Sequence, residues 1–432
     1  MLTLFELLAA IITVTATFAW INHRFIKLPS NIGLLVMGLC ASLALIGIDA
    51  LFPDTRFYEV FEEELLQIDF YDTVMNGMLA FLLFAGALHV DLGRLRNRAF
   101  VVAALATIGV ALSTVIVATG MWLLAQAFGL PLDYSWALVF GALIAPTDPV
   151  AVLSTLKTAN VPNEMETDMA GESLFNDGIG VVLFTIFLGL AIGANQGDEA
   201  SPALHVAELL VVEAGGGIML GLATGGLAFF ALKGIDDYVI EVLISLALVF
   251  ATYAIAHSLH ISGPLAVVVC GILIGNTGAM HAMSEQTKQY VFGFWTLIDE
   301  ILNAVLFLLI GLEVIILTFN LSQLLLALAA IPLVLAARLT SVGGPVLALS
   351  TSGATKFPKG TIPLLTWGGI RGGISVALAL SLPMTDARPT IIVATYAVVL
   401  FSIIVQGLTL GRVAKGAAQE AREQKVDEAV RD

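Results

Sequence analysis

Charge is scarce in this chain. Only 12% of its 432 residues are Asp, Glu, Lys or Arg, where a soluble domain carries roughly a quarter. With 58% hydrophobic residues, the chain reads as an integral membrane protein. Positive charge is the scarcer sign: 19 Lys and Arg stand against 34 Asp and Glu, a formal net charge of −15. No basic face exists to neutralise phosphates, which excludes nucleic acid as a partner. The two cysteines, Cys40 and Cys270, both lie in apolar stretches, so neither a disulfide framework nor a cysteine metal site is indicated. Histidines are few, and His205, His257, His260 and His281 scatter toward the ends of apolar runs. No HExxH motif and no nucleophile–base pair is present, so an intramembrane enzyme is excluded and no cofactor is expected. The opening MLTLFELLAAIITVTATFAW lacks a basic n-region, and basic residues follow the apolar run instead. That order marks a first transmembrane helix with its N-terminus outside, not a cleaved signal.

What is present is a succession of apolar runs. A spanning helix needs about 20 mainly apolar residues, and thirteen stretches qualify: 2–21, 31–51, 73–91, 99–127, 135–157, 168–193, 203–232, 238–257, 261–277, 291–319, 321–350, 361–382 and 388–411. With an external N-terminus, 15 of the 19 basic residues fall on the inside, among them Arg94, Arg96 and Arg98, and the C-terminus is cytoplasmic. The first external loop is acidic, with Asp54, Glu59, Glu62, Glu63, Glu64, Asp69 and Asp72, and reads as a solvated loop. Helix 7 carries Gly217, Gly221 and Gly225 at four-residue spacing, and helix 9 carries Gly271 and Gly275; such spacing lets helices approach closely.

Two of the runs are interrupted. Proline donates no backbone hydrogen bond and clashes with the preceding turn, so Pro146 and Pro149 break helix 5 around Thr147 and Asp148. Irregular backbone at that depth survives only where it is buried or lines a wet cavity, and the freed carbonyls are hard oxygen ligands for a small cation. Helix 12, TIPLLTWGGIRGGISVALALSL, brackets Arg371 with Gly368, Gly369, Gly372 and Gly373, each weakening the helix by roughly 1 kcal/mol relative to alanine. Helices 5 and 12 hold matching places in inverted halves, the arrangement that points to a transporter site.

The interruptions coincide with acids. A carboxylate at bilayer depth costs at least ~2.5–3.5 kcal/mol, so Asp148 and Asp177 are functional candidates. Ser173, Asn176 and Asp177 share one face of helix 6, with Glu172 beside them. A buried carboxylate can hold either a proton or a cation, and competition between the two is coupling; Asp177 is the candidate for that exchange. Asn176 brings oxygen but no charge, which favours one-for-one, electroneutral exchange. Glu172 needs a cation if charged, and Arg338 and Arg371 are the basic side chains within the spans. Glu172 is expected to pair with Arg338 while Arg371 supports the broken helices, the opposite pairing remaining open.

These residues resemble the monovalent cation:proton antiporter family that contains the NhaP-type bacterial and archaeal antiporters and the animal sodium/proton exchangers. The matching pieces are APTDPVAV at 145–152, GESLFNDGIGVVLF at 171–184, AARLTSV at 336–342 and GGIRGG at 368–373. The resemblance implies an all-α polytopic fold with inverted repeats and two discontinuous crossing helices. It implies a homodimer in lipid whose transport core (about 73–193 and 291–382) slides, elevator-like, against scaffold helices (about 1–51, 203–277 and 388–411), followed by a short cytoplasmic tail, 412–432. It assigns Asp177 as proton or cation carrier, Thr147, Asp148, Ser173 and Asn176 as cation-binding residues, and Glu172 to an ion pair with a core arginine. No metal is implied beyond the transported Na+, Li+ or K+, exchanged for H+ across the cell membrane. One position departs: relatives with LLFEAALN carry an acid in helix 3 where LLFAGALHVD, 82–91, has Ala85. Without that oxygen, potassium becomes a credible substrate beside sodium. His89 and Asp91 lie nearby, toward the inner end of the helix. A cation channel would share the buried acids but would need a continuous pore and ligand rings; a non-transporting sensor would have no need of two interrupted helices.

Overall fold

The computed structural model describes residues 3–51, 70–148, 150–193, 202–316 and 320–431. Most of the acidic loop, from Asp54 to Asp69, lies outside the described residues, as does Pro149. Each apolar run forms a helix: α1 (Phe5–Ile26), α2 (Ser30–Asp49), α3 (Phe70–Leu88), α4 (Leu92–Ala127), α6 (Asn163–Ala191), α7 (Val211–Leu232), α8 (Tyr238–Ser258), α9 (Gly263–His281), α11 (Leu321–Thr351) and α13 (Arg388–Gln424). These ten are long and apolar enough to cross a membrane. Helix α10 (Glu285–Leu312) carries more charge. Two segments are split, into α5a (Tyr134–Ile144) and α5b (Val150–Ala159), and into α12a (Thr361–Trp367) and α12b (Gly373–Leu380). The ten, α10 and the two split segments make thirteen. No strand occurs among the described residues.

Several helices begin earlier than their apolar runs, at a polar residue that caps the first turn. Ser284 caps α10, accepting from Thr287 N at 3.3 Å, and Asn320 and Gln323 form a reciprocal capping box at α11. Asp91, expected at the end of helix 3, instead caps α4, its Oδ1 accepting from Arg94 N at 3.0 Å. α13 holds a π-helical turn at Ser402–Gln406 within its apolar run and continues past the end of that run. Its extension buries Ala414, Ala417, Ala418 and Ala421 and packs on α5b and α12a.

Two packing groups stand out. α4, α5, α6, α11, α12 and α13 pack around one another, α4 against α5a and α11, and α11 against α13. On the other side α7 packs on α9, α9 on α3, and α10 on α2. The glycine ladder of α7 serves this packing within one subunit: a Cβ at Gly217 would lie 2.6 Å from the Ser262 carbonyl oxygen of α9. The second ladder turns α9 toward α3, where a Cβ at Gly271 would lie 2.7 Å from Ala87 Cβ.

Candidate functional site

Breaking two helices in the protein interior leaves backbone donors and acceptors that water cannot serve, so each needs a partner. The two breaks largely satisfy one another. The Asp148 amide donates to the Ile370 carbonyl at 2.8 Å, directly linking the break in α5 to the break in α12. Arg371 Nη1 donates to the carbonyls of Ala145 (2.6 Å) and Pro146 (2.8 Å), and Ser375 Oγ to Leu143 O at 2.7 Å. The π-helical turn of α13 closes the other side: Ser402 Oγ accepts from Arg371 N at 3.0 Å, and Gln406 Nε2 donates to Trp367 O at 2.9 Å. Proline chemistry leaves the Ala145 and Pro146 carbonyls free for a cation; Arg371 takes both instead.

Gly368, Gly369 and Gly372 lie in the α12 break, and Gly373 opens α12b. None of the four has a positive φ. Close approach requires glycine here: a Cβ at Gly369 would lie 2.6 Å from Arg338 Nε, and one at Gly372 2.6 Å from Asp148 Oδ2. Asp148 therefore sits just ahead of α5b and against the start of α12b. A negative charge there complements the positive ends of two short helices, while Arg371 complements the C-terminal end of α5a.

α6 supplies the rest. Thr147 N donates to Asn176 Oδ1 at 3.2 Å, Asn176 Nδ2 donates to Thr147 Oγ1 at 2.8 Å, and Thr147 Oγ1 lies 2.8 Å from Ser173 Oγ. Thr147, Ser173 and Asn176 are all buried. Asp177, 4% exposed, makes no hydrogen bond or ion pair among the described residues. With Thr147, Asp148 and Pro146 it lines a cavity closed by Gly372 and Ser375 on one side and by Leu83 and Asn303 on others. Two acids, one of them without a hydrogen bond or ion pair among the described residues, thus share a small cavity at the crossing of two interrupted helices. Residues 12–416 match the family described as sodium/hydrogen exchanger, transmembrane. The chain belongs to this family.

The Na(+)/H(+) antiporter NhaP of Pseudomonas aeruginosa is 46% identical over 410 residues, covering 94% of this chain and 95% of that protein. The Na(+)/H(+) antiporter NhaH of Halobacillus dabanensis is 37% identical over 390 residues, covering 90% and 91%. The sodium proton antiporter MjNhaP1 from Methanocaldococcus jannaschii, solved at pH 8, superposes with a TM-score of 0.71 at 22% identity, covering 95% of this chain and 97% of that one. That likeness shows the fold.

In this member of the sodium/hydrogen exchanger family the buried arginines divide their work. Arg338 forms a two-pronged ion pair with Glu172, Nη1 to Oε1 and Nη2 to Oε2 (2.8 Å), and also donates to the Leu365 carbonyl of α12a from Nε (3.2 Å) and Nη2 (3.1 Å). The Arg371 side chain bonds only backbone carbonyls among the described residues; its Nε and Nη2 have no hydrogen-bond partner there, and the charges of Glu172 and Asp177 reach it through space. It is a clamp on the crossing rather than half of an ion pair.

Two further groups escape a reading by apolar runs. Arg98, grouped with the internal loop by position, is buried in α4 and pairs with Asp168 of α6, with Nε to Oδ1 at 2.7 Å and a second contact from Nη2 to Oδ2. Asp299 and Asn303 of α10 lie by the acid cavity, Asn303 lining it. For Asp299 and Asn303 the signal was an acid and an amide within an apolar run, the same signal that singles out Asp148; Arg98, just outside its run, carried no such signal.

Thr147 is the hub of the exchanger's polar cluster, and Thr147→Val tests it. The substitution keeps volume but strands Asn176 Nδ2 and Ser173 Oγ, an expected loss of about 1–3 kcal/mol. A lower melting temperature in detergent, with weaker cation dependence of flux, is the expected result; an unchanged melting curve would remove Thr147 from the hub.

Proposed function

We propose that this protein is a secondary active antiporter, exchanging Na+ or Li+, with K+ admitted, for H+. The carrying observation is the cavity at the helix crossing, which is lined by both Asp148 and Asp177. The names of its relatives, Na(+)/H(+) antiporters, agree with it. Asp177 holds a proton or a cation, not both, because two positive charges on one desolvated carboxylate repel. Asp148 and the hydroxyls of Thr147 and Ser173 supply further oxygens, and the Asn176 amide carries no charge. One carboxylate exchanging one cation for one proton makes the cycle electroneutral.

Access alternates by a sliding movement. The packing supports a moving body of α4, α5, α6, α11, α12 and α13, bound together by the cross-linked breaks, with α3 and α10 lining its track; this shifts α13 into the core and α3 and α10 toward the scaffold relative to the grouping expected from the resemblance. A homodimer in the cell membrane, N-terminus outside and C-terminus in the cytoplasm, follows from the charge bias and the family likeness.

The test is reconstitution in liposomes carrying a pH-sensitive dye, with sodium, lithium or potassium added and the membrane potential clamped or free. Cation-dependent alkalinisation or acidification that ignores the clamp is the expected result. Asp148→Asn should raise the half-saturating cation concentration or stop flux. Silence toward all three cations across a broad pH range would overturn the reading.

A further inference from the structure

α10 carries an acid pair, Asp299 and Glu300, inside the otherwise apolar run FWTLIDEILNAVLFLL. The crossing of the broken helices does not use it. Thr296, Asp299 and Asn303 are spaced i, i+3 and i+7, so they form one stripe of the helix. Burial deepens along the stripe: Thr296 is exposed, Asp299 half-buried, and Asn303 is 2% exposed where it lines the cavity of Asp148 and Asp177.

The stripe is held, not loose. Asn303 Nδ2 donates to Asp299 Oδ1 at 3.0 Å and to the Asp299 carbonyl at 2.9 Å. Both amide hydrogens are thereby committed, and Asn303 Oδ1 is left as an acceptor. Asn303 thus ties Asp299 to the cavity that Asp148 and Asp177 line. At the exposed end of the stripe His89, which caps the C-terminal end of α3, places a ring nitrogen 3.3 Å from Thr296 Oγ1. Ala85, one turn away on α3, is buried and offers no side-chain oxygen.

Glu300 shows what this face of α10 meets. It is exposed near mid-helix. A carboxylate facing hydrocarbon at such depth costs at least ~2.5–3.5 kcal/mol, whereas one facing a wet cleft does not. That face also exposes Leu297 and Ile301, so Thr296 and Glu300 form its polar edge, from which the stripe leads to the cavity.

We propose that Asp299 is a third cation-contacting carboxylate. It captures the hydrated alkali cation in the cleft between α3 and α10 and passes it across Asn303 Oδ1 to Asp148 and Asp177. This rests on antiport at those two acids.

The test measures flux against cation concentration in the same liposomes for wild type, Asp299→Asn, Asp299→Glu and Thr296→Lys. Asp299→Asn should raise KM about tenfold, equivalent to ~1.4 kcal/mol of binding, with a far smaller fall in maximal rate. Asp299→Glu should restore most of the wild-type KM, and Thr296→Lys should raise KM by repelling the cation at the entrance, most strongly at low ionic strength. A role only in packing would lower melting temperature and rate without this KM pattern. If wild type exchanges and Asp299→Asn keeps its KM, the assignment of Asp299 falls and antiport stands. If wild type shows no cation-dependent flux, antiport falls and takes Asp299 with it. Should Asp299→Asn fail to assemble, Thr296→Lys decides: a raised KM supports the path and an unchanged KM overturns it.

Discussion

Asp177→Asn is expected to reduce cation-dependent proton flux to the level of protein-free liposomes, while the protein extracts, elutes and melts like wild type. Asparagine keeps the size of the side chain and an oxygen but can neither carry a proton between sides nor neutralise a bound cation. Asp177 has no hydrogen bond or ion pair to lose among the described residues. Removing its charge therefore breaks no hydrogen bond, and the relief of a desolvated charge offsets the loss of its through-space attraction to Arg371, so stability holds. The combination is diagnostic: a group essential to flux and dispensable to fold belongs to the transport chemistry. Retained exchange in Asp177→Asn would transfer the carrier role to Asp148 and overturn the one-carboxylate cycle.

Arg338→Met is expected to do the reverse, acting first on the fold. It leaves Glu172, 1% exposed, without the guanidinium that grips both of its oxygens, and frees the Leu365 carbonyl at the end of α12a. Removing one partner of a buried ion pair costs about 3–5 kcal/mol. A large fall in melting temperature and in the yield of folded protein follows. Adding Glu172→Gln should recover part of that loss, because the stranded charge is removed with it. A double-mutant cycle measured by thermal melting reads the coupling. Additive losses would show that Arg338 acts through Leu365 alone.

Most of what positions these side chains can be read before any coordinates. Acids in an apolar run are costly wherever they sit, so Asp148 and Asp177 stand out without knowledge of their neighbours. Pro146 and the glycines around Arg371 likewise declare their breaks locally. What stays hidden depends on partners far along the chain. Helix propensity explains why Gly369 and Gly372 weaken a helix, but only packing reveals that Arg338 and Asp148 press against them. Counting basic residues by loop puts Arg98 in solvent, because nothing in its own segment announces Asp168, 70 residues later. Arg371 is expected from its own segment to support the broken helices, but the carbonyls that hold it belong to a break 226 residues earlier and are not legible there. Asp299 and Glu300 carried the same signal as Asp148 within the predicted tenth span, but no proline or glycine beside them marks a break.

The hydrogen bonds that join the two breaks have a consequence for biosynthesis. α5 is made long before α12, yet the Asp148 amide and the Ala145 and Pro146 carbonyls find their partners, Ile370 and Arg371, only in α12. Until that later segment leaves the ribosome, the first half of the chain carries an irregular stretch whose polar groups no lipid can serve. The nascent α5 must therefore wait in a hydrated setting, at the insertion machinery or near the membrane surface, and settle at its final depth when α12 arrives. Final assembly is thus a late, nearly full-length event, and truncated chains ending before Arg371 should be cleared by quality-control proteases rather than accumulate as stable half-transporters.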